Sequence, residues 1–170
     1  MSRGRSVLVA LVFATGAIAG CSRKPGGDDA AAPAPVLETS GQPENLRYAP
    51  SLQVDLAQMT RTASGLYYRD ILVGRGGVAT AGNRVRVAYA GWLADGSEFD
   101  RSPDGRPYQF SLGRGQVIRG WDEGVSGMRV GGRRLLVIPP ALAYGRQSPG
   151  PGIPPNATLV FDVRLMQVQP

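Results

Sequence analysis

The side chains that could carry chemistry in this 170-residue chain are carboxylates and aromatic rings. The sequence contains no histidine and a single cysteine, Cys21. This composition excludes Ser-His and Cys-His nucleophiles, histidine-bound zinc, a cysteine metal cage and an internal disulfide. We therefore expect neither a metal nor any other cofactor.

The carboxylates are not spaced for acid–base catalysis. Asp122 and Glu123 are neighbours on a predicted helix, where successive side chains point about 100° apart and do not face one substrate bond. The acids of ADGSEFD (94–100) lack the spacing of a calcium loop, and Asp95-Gly96 is typical of a hairpin turn. The glycines of GRGQVIRG (113–120) also lack the pattern of a phosphate loop.

Aromatic residues, in contrast, recur where they could surround a pocket. Taken singly, each is explained by core packing or by the anchoring of a loop. Taken together, they could line an apolar pocket with a few polar tips, the usual form of a site for a small ligand. These residues lie on predicted strands, directly after the predicted hairpin turn, on a predicted helix and in one loop: Tyr89, Phe99, Tyr108, Phe110, Trp121, Tyr144 and Phe161.

A hydrophobic period of two dominates the region that must position these rings. RVRVAYAGWL (84–93) and TLVFDVRL (158–165) each place alternate apolar residues on one face, which predicts strands of a sheet with a wet opposite face. Shorter stretches predict further strands at 65–72, 108–112 and 133–139.

One segment of this region has a helical period. At about 100° per residue, its apolar side chains fall in one arc and three glycines fall beside them. Each glycine costs roughly 1 kcal/mol relative to alanine, so the helix must be held by docking its apolar arc on a sheet, and its glycine edge permits close approach of other backbone. One short helix on a mostly antiparallel sheet is an α+β fold. The apolar arc consists of Val117, Ile118, Trp121, Val125 and Met128.

The N-terminal residues predict export and lipid anchoring. Arg3 and Arg5 precede an apolar run at 7–19, which is typical of a signal peptide over residues 1–20 and is too short to span a membrane. The following Ile-Ala-Gly-Cys resembles a bacterial lipobox, with Cys21 as the acylated residue of the mature chain. The non-acidic Ser22 resembles sorting to the outer membrane, facing the periplasm or the surface. We expect a lipid-anchored protein of the cell envelope.

The rest of the chain is expected to be a tether and one domain. Residues 21–45 are rich in Gly, Pro, Ala and acids and predict a flexible tether. Residues 46–168 have the size of a single domain, with 52–59 as an extended segment packing on its edge, and a monomer is expected. Loss of the signal arginines lowers the net charge from +6 to +4, and the scattered arginines do not indicate nucleic-acid binding.

Three motifs, in this order and at these spacings, are similar to a known family. VAYAGWLADGSEFD (87–100), VIRGWDEGV (117–125) and IPPNATLVFDVRL (153–165) resemble FKBP-type peptidyl-prolyl cis/trans isomerases, the immunophilins that bind tacrolimus and rapamycin. The resemblance covers about 64–168, and 59–76 resembles the lead-in of bacterial members. It implies a bent antiparallel sheet of five or six strands wrapped around one short helix.

The resemblance also implies a role for each site residue. The aromatic walls fall on Tyr89, Phe99 and Phe161, the floor for proline on Trp121, and the backbone donor on Ile118 beside Val117. The pocket acid falls on Asp100, with Arg101 or Arg106 as its basic partner, and the loop residues on Tyr144 and Ile153. Tyr108 stands where the family has phenylalanine, and Phe110 follows it on the same strand.

The implied function is acceleration of X-Pro bond rotation by a dry aromatic pocket. The partners would be proline-containing unfolded or exposed polypeptides, with macrolides as inhibitors and a membrane reached through the lipid. The alternative is a binding module or holdase that uses the same pocket, with incidental catalysis.

Overall fold

The computed structural model describes residues 37–170. The predicted signal peptide, Cys21 and residues 22–36 lie outside this range. The described residues form a seven-stranded antiparallel sheet with one short α-helix, which confirms the α+β prediction. Within this range, no helix is long and apolar enough to cross a bilayer.

The strands follow the predicted alternation closely. In chain order they are β1 Thr60–Arg61, β2 Tyr67–Leu72, β3 Arg84–Leu93, β4 Glu98–Arg101, β5 Tyr108–Ser111, β6 Arg133–Ile138 and β7 Leu159–Gln169. Their order in the sheet is β1-β2-β6-β7-β3-β4, and β5 also pairs with β3. The two-residue β1 raises the count above the five or six strands expected.

The helix α1, Arg119–Val125, lies against one face of the sheet and is shorter than the predicted arc. Ile118 has φ of −58° and ψ of 147°, which is not helical, and Val117 lies in the bend before it, so both residues form the approach to α1 rather than its first turn. A Cβ placed on Gly120 would lie 2.4 Å from Cγ2 of Ile138, and one on Gly124 would lie 2.8 Å from Leu136. The glycine edge therefore permits close contact with side chains of β6, whereas the sequence predicted the close approach of other backbone.

The inward face of the sheet and α1 enclose the main core. Its buried members include Val85 and Val87 of β3 and Val163 and Leu165 of β7, as the period of two predicted. The opposite face is not wet throughout. Tyr67, Leu135, Val137 and Val160 form a second cluster there. Residues 37–59 cover this cluster, whereas Arg133 and Arg164 farther along the same face are exposed.

Residues 37–45, predicted as part of the tether, lie on the domain. Pro43–Asn45 is a 3-10 helix in which Pro43 is buried, and Ser40 forms a bridge with Ala157. The composition predicted a coil because these residues bring little apolar surface. Backbone and side-chain hydrogen bonds hold them, and Leu37 packs against the second cluster, so the packed unit begins before Leu46.

Residues 52–59 pack on the domain as expected but are not extended. They contain the end of one 3-10 helix, Pro50–Leu52, and all of a second, Leu56–Gln58. The side chain of Asp55 caps the second by accepting a hydrogen bond from the backbone nitrogen of Ala57. Leu52 and Met59 are buried in the second cluster, so these turns bring two separated apolar side chains onto one surface.

Candidate active site

A cavity of about 240 Å³ opens between α1, the inward face of the sheet and the loop after β6. It gathers nine of the eleven pocket residues predicted from the sequence and adds Gln116. The nine are Tyr89, Phe99, Asp100, Tyr108, Val117, Ile118, Trp121, Tyr144 and Phe161.

Trp121 lies at the floor of this cavity and is 4% exposed. Its ring meets Tyr89 and Phe161 edge-on, at centroid separations of 4.8 and 5.3 Å. Phe99 meets Phe161 edge-on at 5.5 Å. Such edge-to-face pairs are favourable and fix the ring orientations, so the walls are preorganised before any ligand binds.

The closeness of two wall rings depends on a glycine in β3. Gly91 lies opposite Phe161 of β7 and Asp100 of β4. A Cβ at Gly91 would lie 2.6 Å from the Phe161 ring and 2.9 Å from Cζ of Phe99. Only a residue without a side chain lets both rings lie against this strand.

Two polar residues at the rim are joined. The hydroxyl of Tyr89 donates to Oδ2 of Asp100 at 2.7 Å. Burial, and then this hydrogen bond to an anion, raise the pKa of Tyr89 well above its usual value. The phenol therefore stays neutral and remains a donor at physiological pH. The bond fixes the direction in which the Tyr89 ring presents its face to the cavity.

Neither arginine expected to pair with Asp100 does so. The guanidinium of Arg101 forms a two-point ion pair with Glu98, at 2.8 and 2.6 Å. What Arg101 gives Asp100 is its backbone nitrogen, which donates to Oδ1 at 2.8 Å. No contact between Arg106 and Asp100 is found among the described residues. Ser102, which follows Arg101, accepts a hydrogen bond from the backbone nitrogen of Tyr89 at 3.0 Å and so ties the end of β4 to β3.

Tyr144 enters the cavity from the loop that follows β6. Its side chain is 40% exposed, and its hydroxyl has no hydrogen-bond partner among the described residues. Burial raises its pKa, and the nearby negative charge of Asp100 adds to the shift. Tyr144 is therefore a neutral hydroxyl that faces the cavity and can donate to a ligand.

The approach to α1 supplies a backbone donor. The nitrogen of Ile118 has no acceptor within residues 37–170, while its carbonyl accepts from Trp121 and Asp122. Asp122 fixes the preceding turn by accepting from the backbone nitrogens of Gly113 and Gly115 at 2.8 and 3.0 Å. Its carboxylate is structural, in agreement with the prediction that Asp122 and Glu123 do not act on one bond.

Two predicted binding residues do not line the cavity. Phe110 faces inward, as its strand predicted, but lies deeper: it is 3% exposed and its ring centroid is 5.7 Å from that of Trp121. It supports the floor from below. Ile153 lines an adjoining hollow of about 240 Å³, which shares Phe99, Asp100 and Tyr144 with the cavity.

Gln116 was missed because a lone polar side chain before a helix has no distinctive spacing. Its amide oxygen accepts from the backbone nitrogen of Ser111 at 2.8 Å, so it joins the end of β5 to the approach of α1.

Arg134, which joins β6 to β2 and to α1, was also missed in the sequence analysis. It is buried, forms a two-point ion pair with Asp70 at 2.7 and 3.0 Å and donates to the carbonyl of Gly124 in α1 at 3.0 Å.

No group of three or more acids, histidines or cysteines in residues 37–170 is arranged to hold a metal ion. The polar side chains that line the cavity include three tyrosine hydroxyls, the carboxylate of Asp100, the amide of Gln116 and the indole N–H of Trp121, which is buried and has no hydrogen-bond partner among the described residues.

Comparison with known proteins agrees with this geometry. The FKBP-type peptidyl-prolyl cis-trans isomerase family model matches residues 76–166. FK506-binding protein 4 of Rhizopus delemar is 47% identical over 112 residues, which are 66% of this chain and 29% of the relative. FK506-binding protein 4 of Aspergillus oryzae is 43% identical over 133 residues, which are 78% of this chain and 28% of that protein. The chain thus spans less than a third of the length of these relatives.

Solved structures extend the likeness to the fold. The crystal structure of FkpA from Escherichia coli is 46% identical, with a TM-score of 0.61 over 66% of this chain and 52% of that one. The crystal structure of AtFKBP13 is 38% identical, with a TM-score of 0.60 over 65% of this chain and 98% of that one. The resemblance seen in the sequence motifs is confirmed. With more than half of its length matched by the family model, the chain belongs to the FKBP-type peptidyl-prolyl cis-trans isomerase family.

Proposed function

We propose that the cavity above Trp121 binds a proline residue of a polypeptide and accelerates rotation about the preceding X-Pro bond. The observation that carries this proposal is the enclosure itself: four aromatic side chains, Tyr89, Phe99, Trp121 and Phe161, surround a space with no paired acid and base. Membership of the family supports the same activity.

Rotation about an X-Pro bond requires no acid, base or metal from the site. An X-Pro bond rotates in tens to hundreds of seconds because the planar amide is stabilised by resonance. At the twisted transition state the resonance is lost and the carbonyl is less polar. A site that removes water from the carbonyl disfavours the planar form relative to the twisted one, and each 1.4 kcal/mol or so of difference gives about a tenfold rate increase.

The residues of the cavity then have separate tasks. Trp121 takes the face of the proline ring, and the walls exclude water from the bond. The free backbone N–H of Ile118 and the hydroxyl of Tyr144 bind two carbonyls of the substrate. Asp100 holds Tyr89 in orientation through their 2.7 Å hydrogen bond and presents a weak polar contact of its own.

The test is a proline-isomerisation assay with a short X-Pro peptide. Wild type is expected to exceed the uncatalysed rate at least a hundredfold, and Asp100→Ala and Tyr144→Phe are expected to lose about tenfold in kcat/KM, the worth of one such contact. Asp104→Ala is the matched control, because Asp104 is exposed and does not line the cavity. If folded wild type leaves the rate unchanged yet binds the peptide, the binding or holdase function replaces the isomerase.

We also propose that the protein is anchored in the cell envelope through an acyl group on Cys21. The apolar run at 7–19 and the Ile-Ala-Gly-Cys sequence support this. A single acyl chain holds a protein only marginally at a bilayer, so several chains are expected. Mass spectrometry of the membrane fraction is expected to show acyl mass on wild type and none on Cys21→Ser. A wild-type protein without acyl mass contradicts the proposal.

A further inference from the structure

Three residues that precede the family-matched region are bonded to the segment just after the active-site loop. The hydroxyl of Thr158 donates to the carbonyl of Gly41 at 2.6 Å, and its backbone nitrogen donates to Thr39 at 3.2 Å. The nitrogen of Gly41 donates to the carbonyl of Asn156 at 2.8 Å, and the hydroxyl of Ser40 donates to Pro155 at 2.9 Å. We call residues 39–41 the strap.

The bonded segment leads directly to Tyr144. The backbone nitrogen of Asn156 donates to the carbonyl of Gly145 at 2.6 Å, which closes the loop 145–156 at its base. Asn156 has φ of 56°, a left-handed conformation that costs energy in a residue other than glycine. Asn156 therefore connects the loop to the strap: its backbone nitrogen donates to Gly145, which follows Tyr144, and its carbonyl accepts from Gly41.

The strap is also held from its other end. Pro43 is buried, and its carbonyl accepts from the hydroxyl of Tyr48 at 2.9 Å. Glu44 accepts from the hydroxyl of Tyr67 at 2.8 Å and pairs with Arg61 at 3.1 Å. The strap is therefore fixed to the β1–β2 edge on one side and to the active-site loop on the other.

We infer that the strap is a positioning segment of the active site, which holds the loop base so that the Tyr144 hydroxyl faces the cavity. This inference rests on the proposed function of Tyr144. Its critical group is the hydroxyl of Thr158, which is fully buried, because losing it leaves the carbonyl of Gly41 without that donor. Residues 39–41 thereby influence substrate binding through the position of Tyr144.

The experiment compares Thr158→Val, which keeps the shape and loses the donor, with Thr158→Ser, which keeps the donor. For Thr158→Val, KM for an X-Pro peptide is expected to rise about three- to tenfold with kcat changed less than twofold, because Tyr144 binds substrate. Amide exchange over 145–153 is expected to accelerate. Thr158→Ser is expected to restore both. Thr80→Val is the matched control, since Thr80 is exposed and bonds only within its own turn.

Ser40→Ala provides a second variant at an exposed position, in case Thr158→Val folds poorly, and is expected to raise KM about twofold. A merely structural strap would lower the active fraction, and so kcat, without changing KM. Unchanged loop exchange in Thr158→Val overturns the inference, and so does faster exchange with an unchanged KM. Wild type without isomerase activity instead refutes the proposed function, while the exchange data still decide whether the strap holds the loop.

Discussion

Gly120→Ala tests whether the contact between α1 and β6 sets the height of the cavity floor. The added Cβ would lie 2.4, 2.9 and 3.1 Å from three carbons of Ile138, where ordinary contact begins at 3.4 Å. The helix must retreat by about 1 Å, and Trp121 is the next residue.

Two effects oppose each other in the free energy of unfolding. Alanine in a helix is worth about 1 kcal/mol relative to glycine, whereas overpacking of a core costs about 1–3 kcal/mol. Because three contacts of one buried side chain are violated, the upper part of that range applies. We expect a net loss of about 1–2 kcal/mol in urea unfolding, and a decrease of ten- to a hundredfold in kcat/KM as Trp121 moves.

Gly77→Ala is the matched control, because a Cβ there meets nothing within 4 Å and its φ is not left-handed. A double-mutant cycle with Ile138→Ala isolates the contact, since that change removes the three clashing carbons. In the Ile138→Ala background Gly120→Ala is expected to be neutral or stabilising. If Gly120→Ala costs the same in both backgrounds, or if it stabilises the wild type and leaves kcat/KM intact, then the contact with Ile138 does not set the position of Trp121.

Two further predictions concern charged and titrating groups. Arg134→Met is expected to lower the free energy of unfolding by about 1–3 kcal/mol, because the buried carbonyl of Gly124 loses its donor, whereas the exposed carboxylate of Asp70 is solvated by water. The exposed Arg164→Met is its control, and equal urea midpoints for the two would contradict this role. Alkaline pH is expected to destabilise the protein in part through Tyr89. Folding raises the pKa of Tyr89, so its contribution to the free energy of unfolding is complete below about pH 10, where the phenol of the unfolded chain is also neutral. The contribution is lost as the pH rises beyond that value, because the unfolded chain then releases the proton first. Urea midpoints measured at pH 8 and 10.5 should therefore fall less in Tyr89→Phe than in wild type, and an identical fall would show that Tyr89 is not involved.

The sequence predicted the parts of the fold that have a regular period. Strand β3 was predicted at its observed bounds, and β7 began within one residue, because long alternation leaves one register that buries the apolar face. The two-residue β1 and the 3-10 helices were not predicted, since such short pieces contain no full period. Residues 37–45 were assigned to the tether because backbone hydrogen bonds leave no mark on composition.

The candidate site was predictable where side-chain type decides the role. The aromatic walls and Trp121 stood out because large rings recurred on faces that point to one space. The depth of Phe110, the adjoining position of Ile153 and the partners of Asp100 depended on loop geometry that no local pattern records. Arg134 depended on a contact between distant elements, so its buried position was equally hidden.

We expect the cavity above Trp121 itself to accelerate X-Pro rotation. Exchange spectroscopy by NMR measures this directly, as the cis–trans exchange rate of a proline peptide at equilibrium with a catalytic amount of protein. Wild type is expected to raise the exchange rate by at least a hundredfold, and Phe161→Ala, which opens one wall while Trp121 remains, is expected to lose most of that increase. An exchange rate with folded wild type equal to that of the free peptide would mean that the cavity does not catalyse the rotation.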